Sequence, residues 1–105
     1  MVARGDVYWV ELDKRRPCVI VSSNDVLSAD VWQTHVVPLT SNLDRAGLAG
    51  NVMLPATVTG LPLDSVAVPL GLELVDRVWL GDRSGHLSLA LIAAIDDGVR
   101  IVLGV

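Results

Sequence analysis

A short apolar strand that directly follows three cations and a proline is the feature that most constrains this fold. The cations Lys14–Arg16 are followed by Pro17 and by the run Cys18–Val21. Such a run is typical of a strand buried on both faces, and Pro17, which cannot donate to a ladder, marks its beginning. The pattern therefore predicts concentrated positive charge at the mouth of a core strand.

A second strand of similar composition ends in two hydroxyl side chains. The run Thr34–Leu39 leads into Thr40 and Ser41. Pairing of the two strands would bring the Arg16 guanidinium and these hydroxyls to one rim, where they could bind a phosphate as charged and neutral donors. From periodicity alone the alternative stays open that Arg15 and Arg16 form a solvated turn and Thr40 and Ser41 a plain strand end.

The remaining pattern predicts many short strands and one C-terminal helix. We expect strands over 4–12, 17–22, 32–40, 51–56 and 65–74, the last broken at Pro69 and Gly71, a loop over 42–50, and a further strand or helical turn over 76–80. A short helix is expected over 26–30 and a longer one between the N-cap Ser88 and Gly104. This order indicates a mainly β chain, a single domain over 1–105, folded as a compact, curved, partly open barrel.

Composition narrows the classes of partner and location. The net charge of −4 argues mildly against nucleic acid, although Lys14, Arg15 and Arg16 form a local basic cluster. No apolar run approaches the ~18 residues of a membrane span, so we expect no membrane contact. With no signal-peptide pattern and a single cysteine, Cys18, expected to be a buried hydrophobe, we expect a cytoplasmic location.

Several familiar catalytic patterns are missing from the sequence. There is no Gly-rich phosphate loop, no nucleophile elbow and no paired Cys or His spacing, so the sequence predicts neither a metal site nor a cofactor. His35 lies five residues before Thr40 and should point to the opposite face of the strand. For His86 a role in a turn or at a helix start is expected. Arg16, Thr40 and Ser41 remain as the candidate site.

Five motifs in order resemble the MazF/PemK family of toxin endoribonucleases. They are Arg4-Gly5-Asp6-Val7-Tyr8-Trp9, Arg16-Pro17 with its apolar run to Ser22, Pro38-Leu39-Thr40-Ser41, Leu63-Asp64-Ser65-Val66-Ala67 and Gly85-His86-Leu87-Ser88. The resemblance runs through nearly the whole chain. One departure is the short connection Asp13–Arg15, where most relatives have a longer loop containing glycine.

The resemblance implies an SH3-like barrel that cleaves single-stranded RNA without a metal and is neutralised by a cognate antitoxin. It assigns catalysis to Arg16 and Thr40: the 2′-hydroxyl attacks the adjacent phosphate, leaving a cyclic phosphate and a free 5′-hydroxyl. Arg16 would neutralise the phosphorane and could shuttle a proton, although its very high pKa makes it a poor base. We expect Lys14, Arg15, Ser41 and Arg45 to bind RNA.

Partners and alternatives follow from the same resemblance. We expect a homodimer, formed in part by a helix face that carries Ile92, Ile95, Val99 and Val102, and an antitoxin whose acidic, disordered segment occupies the basic mouth. Two other functions stay open: a non-catalytic toxin of the same fold that inhibits a protein target, as gyrase poisons do, and a simple barrel that binds RNA or peptide without cutting.

Overall fold

The computed structural model describes residues 1–105 and contains seven strands and three α-helices. The strands are β1 (Asp6–Glu11), β2 (Arg15–Ile20), β3 (Gln33–Thr40), β4 (Val52–Leu54), β5 (Ser65–Ala67), β6 (Glu73–Asp76) and β7 (Leu80–His86). The helices are α1 (Asn24–Ser28), α2 (Ala56–Thr59) and α3 (Leu89–Leu103), and 3₁₀ turns span Leu43–Gly47, Pro69–Gly71 and Arg77–Trp79.

The strands form one curled antiparallel sheet in the order β4-β5-β3-β2-β1-β7, with β6 also paired to β3. One edge of β3 pairs with β2 over Val36–Pro38. Its other edge is covered first by β6, over Gln33–Val36, and then by β5, over Leu39–Thr40. The 3₁₀ turn Pro69–Gly71 separates these two short strands, so the break predicted from its proline and glycine is confirmed. This turn lets one long strand carry two partners on the same edge.

Buried apolar side chains form two clusters, one on each side of the central strands. Val19 belongs to the larger cluster, which also contains Ile95 of α3. Cys18 and Ile20 belong to the smaller cluster, together with Leu27 of α1. Because successive residues of a strand point to opposite faces, β2 contributes to both clusters, as expected of a strand buried on both sides.

Helix α3 begins and ends where its capping residues predict. The Ser88 side chain accepts a hydrogen bond from the Leu91 N–H (3.3 Å), and Gly104 ends the helix in the left-handed region at φ 73°. Within the helix, a Cβ added to Gly98 would lie only 2.1 Å from the carbonyl oxygen of Gly50. Gly98 therefore permits the close packing of α3 on the loop that precedes β4.

The apolar face of α3 packs against the barrel of its own chain, so the expectation that it forms a dimer surface is wrong. Ile95 is 1% exposed and lies in the larger cluster, and Ile92 and Val99 pack against that cluster. The curled sheet leaves one side of its apolar interior open, and α3 covers it. The large exposed apolar side chains of α3 and of the residues after it are instead Leu89, Ile101, Leu103 and Val105.

The predicted fold class, a mainly β, partly open barrel with a C-terminal helix, is confirmed. The strand β7 is the main element that the sequence pattern did not predict. Its sequence, LGDRSGH, lacks alternating apolar residues, and its structure depends on the ladder that it forms with β1. Tertiary pairing can override weak local preference in this way. None of the helices has the length and apolar character required to cross a membrane.

Candidate active site

A tight turn between β1 and β2 carries the three consecutive cations to one end of the sheet. The last pair of this hairpin is Glu11 opposite Arg15, and the Leu12 N–H donates to the Lys14 carbonyl (3.1 Å) across the turn. The strands β1 and β2 thus form an antiparallel hairpin. Lys14 and Arg15 are exposed, and Arg16 is half-buried at the start of its strand.

Asp13 holds the guanidinium of Arg16 from one edge. The Nε atom of Arg16 lies 3.0 Å from Oδ1 of Asp13, and its Nη2 atom lies 3.2 Å from Oδ2. The hydrogen bond from Arg16 lowers the pKa of Asp13 to about 2, and the bond to Asp13 raises the pKa of Arg16. Asp13 occupies only one edge of the planar fork, so the Nη1 edge of Arg16 is available to a second anion.

Thr40 lies at the end of β3, next to the beginning of β2. The β2–β3 register pairs Cys18 with Pro38, and continuing it by two residues places Thr40 opposite Arg16. The Thr40 hydroxyl oxygen accepts a hydrogen bond from the Asn42 N–H (3.2 Å). Because this bond uses a lone pair and not the proton, the hydroxyl can still donate to an incoming oxygen.

Arg16 and Thr40 form a ridge between two clefts. The first, which we call the Arg45 cleft, has a volume of about 340 Å³, and its lining includes Asp13, Arg45, Leu70 and Glu73. The second, the Trp9 cleft, has a volume of about 320 Å³, and its lining includes Trp9, Lys14, Arg15, Ser41 and Leu63. Both clefts are lined by the two ridge residues.

The two clefts differ in charge. The Trp9 cleft is lined by Lys14, Arg15 and Arg16 and by no carboxylate. The Arg45 cleft balances Arg16 and Arg45 against Asp13 and Glu73. Positive potential is therefore concentrated on one side of the ridge, on a chain whose net charge is −4.

The structure brings all six residues predicted from the sequence to this region. Arg16 and Thr40 lie on the ridge, and Arg45 lines one cleft. Lys14, Arg15 and Ser41 line the other cleft. Their roles in catalysis and in RNA binding remain predictions.

Other titratable side chains lie away from the ridge. His35 is exposed and lines a separate cavity with Arg4 and Arg100. Cys18 is fully buried, and burial raises the pKa of its thiol to about 12, so its expected structural role fits this environment. No group of three or more His, Cys, Asp and Glu side chains is arranged to hold a metal ion.

Two residues of the site were not predicted. Asp13 stands three residues before Arg16, and this spacing in a tight turn was the available signal for their ion pair. Trp9 pairs with Pro17 across the hairpin, which places its ring on the sheet face that also carries Arg15. Writing out the hairpin register would have placed both residues beside the three cations, but it would not have given the directions of their side chains.

The Arg-Gly-Asp segment near the N-terminus has a structural role. Asp6 is 2% exposed, and its Oδ1 atom lies 3.1 Å from Nε of Arg83 and 2.8 Å from Nδ1 of His86. Its Oδ2 atom accepts a hydrogen bond from the Ala3 N–H (2.9 Å). His86 therefore ends β7 and connects it to β1; the expectation that it lies in a turn or at the helix start is wrong.

Comparison with known proteins agrees with this architecture over almost the full chain. The family model described as PemK-like, MazF-like toxin of type II toxin–antitoxin system matches residues 3–103. This chain belongs to that family. Relatives include endoribonuclease MazF6 of Mycobacterium tuberculosis, 32% identical over 98% of this chain and 97% of the relative, and endoribonuclease EndoA of Bacillus subtilis, 28% identical over 98% and 95%.

Solved structures of family members share the fold. The Mycobacterium tuberculosis toxin MazF-mt6 superimposes with a TM-score of 0.84 at 25% identity, covering 95% of this chain and 97% of that toxin. A mycobacterial endoribonuclease solved in complex with its cognate antitoxin gives a TM-score of 0.85 at 24% identity, covering 100% and 97%. The similarity to the antitoxin-bound structure, at 24% identity, shows a shared fold and nothing more.

Proposed function

We propose that this toxin is an endoribonuclease that cuts single-stranded RNA at the ridge formed by Arg16 and Thr40. The observation that carries the proposal is the placement of a guanidinium and a hydroxyl donor together, between two clefts of which one is lined by three cations and no carboxylate. The 32% identity to named endoribonucleases over nearly the whole chain supports the same reaction class.

The reaction that suits these donors is attack of a ribose 2′-hydroxyl on its own 3′-phosphate. A bond forms between phosphorus and O2′ as O2′ gives up its proton, the bond from phosphorus to O5′ breaks and O5′ takes up a proton, and the products are a 2′,3′-cyclic phosphate and a 5′-hydroxyl. Negative charge grows on the non-bridging oxygens during this step. Arg16 supplies a permanent cation and Thr40 a neutral donor at that place, and preorganised donors of this kind lower the barrier.

Asp13 contributes by orienting Arg16. A guanidinium held at two atoms by a carboxylate loses fewer rotamers when substrate binds than a free side chain does. The raised pKa of Arg16 keeps it charged, so it acts as an electrostatic donor and is a poor base.

The proposal includes cleavage without a metal ion. The carboxylates in the clefts are Asp13 and Glu73, both in the Arg45 cleft, and Asp13 is already engaged by Arg16. Mg²⁺ is usually held by one or two carboxylates together with substrate phosphates, and with Asp13 engaged by Arg16 only Glu73 is left for that role. The positive charge that a metal would bring is supplied at the ridge by Arg16.

The test is to incubate the purified protein with a long single-stranded RNA in excess EDTA and to determine the product ends. We expect cleavage that EDTA does not reduce, with cyclic phosphates on one side and 5′-hydroxyls on the other. Activity that disappears with EDTA and returns with Mg²⁺ would contradict the proposed chemistry. Binding without cleavage would identify an RNA-binding barrel, and neither binding nor cleavage would favour a toxin that inhibits a protein target.

We further propose that this toxin acts in the cytoplasm and has two protein partners there: a second copy of the chain and an antitoxin with an acidic, disordered segment. The three cations that line the Trp9 cleft support the acidic partner, because carboxylates can take the place of phosphates there. The exposed apolar side chains Ile101, Leu103 and Val105 support association of two copies. Light scattering should give twice the 11.2 kDa mass of one chain.

A further inference from the structure

We propose that the Trp9 cleft is a base-binding subsite in which a nucleobase next to the cleaved phosphate stacks on the guanidinium of Arg15. This inference rests on the proposed function and names what one side of the ridge recognises. It assigns to Arg15 a role in reading the RNA that is separate from its charge, and to Trp9 a role as the support of that stacking plane.

The guanidinium of Arg15 is held in place by two contacts. Its Cζ atom lies 4.8 Å from the centroid of the Trp9 ring, and its Nη2 atom lies 3.5 Å from Oδ2 of Asp82. The guanidinium thus lies over an aromatic ring, while half of the Arg15 side chain, 52%, remains exposed. Nucleobases stack on arginine planes as well as on aromatic rings.

The cleft also has apolar lining. It is contributed by Leu61, Pro62 and Leu63, which precede β5 on the far side of β3 from β2, and Leu63 is 63% exposed. A flat, partly apolar group that stacked on Arg15 in this cleft could also contact these side chains. The volume of about 320 Å³ lies at the lower end of the roughly 300–1,000 Å³ range of small-molecule sites. The exposed hydroxyl of Ser41 and the ammonium of Lys14 are available to the polar edges of such a group.

The position of the cleft decides which nucleotide it would receive. Because Arg16 and Thr40 line both clefts, a phosphate bound at the ridge has one neighbouring nucleotide on each side. The Arg45 cleft presents the carboxylates of Asp13 and Glu73, which repel the phosphates of a strand. The Trp9 cleft has no carboxylate, so the base nearest to the reacting phosphate on that side is the one expected to stack.

If the contact between Arg15 and Trp9 had only a structural role, the free protein would show the same geometry. Stacking of Arg15 on Trp9 across the hairpin would then stabilise only the turn, and the contribution of Arg15 to RNA binding would come from its charge. The two roles differ in one measurable respect. Charge acts on every phosphate of the strand, whereas stacking depends on the presence of one base.

The experiment compares intact and abasic RNA. Cleavage by the parent protein first locates the cut in a long RNA, and a short strand spanning that cut is made with 2′-O-methyl groups so that it binds without being cleaved. Versions of the strand that lack a single base on either side of the cut are then titrated. For the parent we expect one abasic position to weaken binding by roughly 5- to 150-fold, since stacking is worth about 1–3 kcal/mol per base.

Matched variants separate stacking from charge. Arg15→Lys keeps the charge and loses the plane, and in it the abasic penalty should fall below about 2-fold while the salt dependence is retained. Trp9→Leu should act in the same way, with its fold checked by circular dichroism because Trp9 packs against the larger core cluster. Arg100→Lys, at an exposed arginine far along the chain, should keep the full penalty.

The outcomes distinguish the two proposals. If the parent cleaves RNA but no abasic position weakens binding, or if the penalty is unchanged in Arg15→Lys, the subsite is refuted and the proposed function stands. If the parent does not cleave RNA at all, the proposed function fails and the subsite fails with it. A penalty that is present in the parent and lost in both variants supports the assignment.

Discussion

The Asp13 carboxylate accepts hydrogen bonds from two atoms of Arg16, Nε to Oδ1 at 3.0 Å and Nη2 to Oδ2 at 3.2 Å, and leaves the Nη1 edge of the guanidinium for another anion. No sequence pattern singled out Asp13, whereas the candidate site depends on Arg16. The pair predicts opposite effects on binding and on the chemical step, because the acid both orients Arg16 and repels phosphate.

Asp13→Ala should bind RNA more tightly than the parent but cleave the bound RNA on the order of 10-fold more slowly, as expected for a lost positioning contact. Asp13→Asn, which retains one acceptor for Nε, should be intermediate. Single-turnover rates and dissociation constants measured on the same RNA separate the two effects. Weaker binding together with an unchanged cleavage rate would show that Asp13 only shapes the turn.

The pH dependence of cleavage should contain no inflection from the Asp13–Arg16 pair. The pKa of Asp13 falls from its usual 3.8 to about 2 and that of Arg16 is raised, so the pair is fully charged above about pH 4 and is lost only as the pH falls through about 2. Neither cleft contains a histidine. Between about pH 5 and pH 9 the rate should rise with pH as the 2′-hydroxyl loses its proton more readily. A bell-shaped profile centred near the usual histidine range would indicate a histidine in the reaction.

Gly98→Ala should destabilise the protein although alanine is the better helix former. The added Cβ would lie 2.1 Å from the Gly50 carbonyl oxygen, and overpacking of this kind costs about 1–3 kcal/mol against a gain of about 1 kcal/mol in helix propensity. Denaturant unfolding measures the change in the free energy of unfolding. A matched substitution is Gly47→Ala, since a Cβ at Gly47 would meet no atom within 4 Å. Equal stability of Gly98→Ala and the parent would show that the helix and loop can separate at little cost.

An acidic peptide should compete with RNA for the Trp9 cleft. Carboxylates bound to Lys14, Arg15 and Arg16 would occupy the positions of phosphates, and both ligands should bind more weakly as salt rises. Displacement of labelled, non-cleavable RNA by a glutamate-rich peptide measures this competition, with a peptide of the same length and reversed charge as control. Simultaneous binding of RNA and an acidic antitoxin segment at full occupancy would show that inhibition uses another surface.

The sequence predicts the core of this fold better than its edges. The buried strand β2 and the helix α3 were predictable because their apolar periodicity and caps are local signals. The strand β7 was not, since Gly81, Asp82 and Gly85 carry no strand signal and the strand exists through its ladder with β1. The apolar face of α3 was predicted correctly, but periodicity cannot state whether such a face covers its own barrel or a second copy.

The candidate site was predictable in its residue types and only partly in its geometry. Arg16 and Thr40 follow from two strand ends that pair, and the register of β2 with β3 places them opposite each other. Two contacts depend on side-chain directions around the turn. They are the hydrogen bonds from Arg16 to the Asp13 carboxylate and the contact of Arg15 with the Trp9 ring. No linear motif states such directions.

The claim that Arg16 and Thr40 cleave RNA is tested most directly by single-turnover cleavage of one RNA in EDTA by four variants. Arg16→Ala and Thr40→Ala should fold normally and should each lose on the order of 10²-fold or more in rate. Their matched controls are Arg100→Ala, an exposed arginine paired with Asp97 at the same spacing, and Thr57→Ala, an exposed threonine; both should cleave like the parent. Rates of Arg16→Ala and Thr40→Ala within about 3-fold of those controls would contradict the account, because effects that small fall short of a lost transition-state donor.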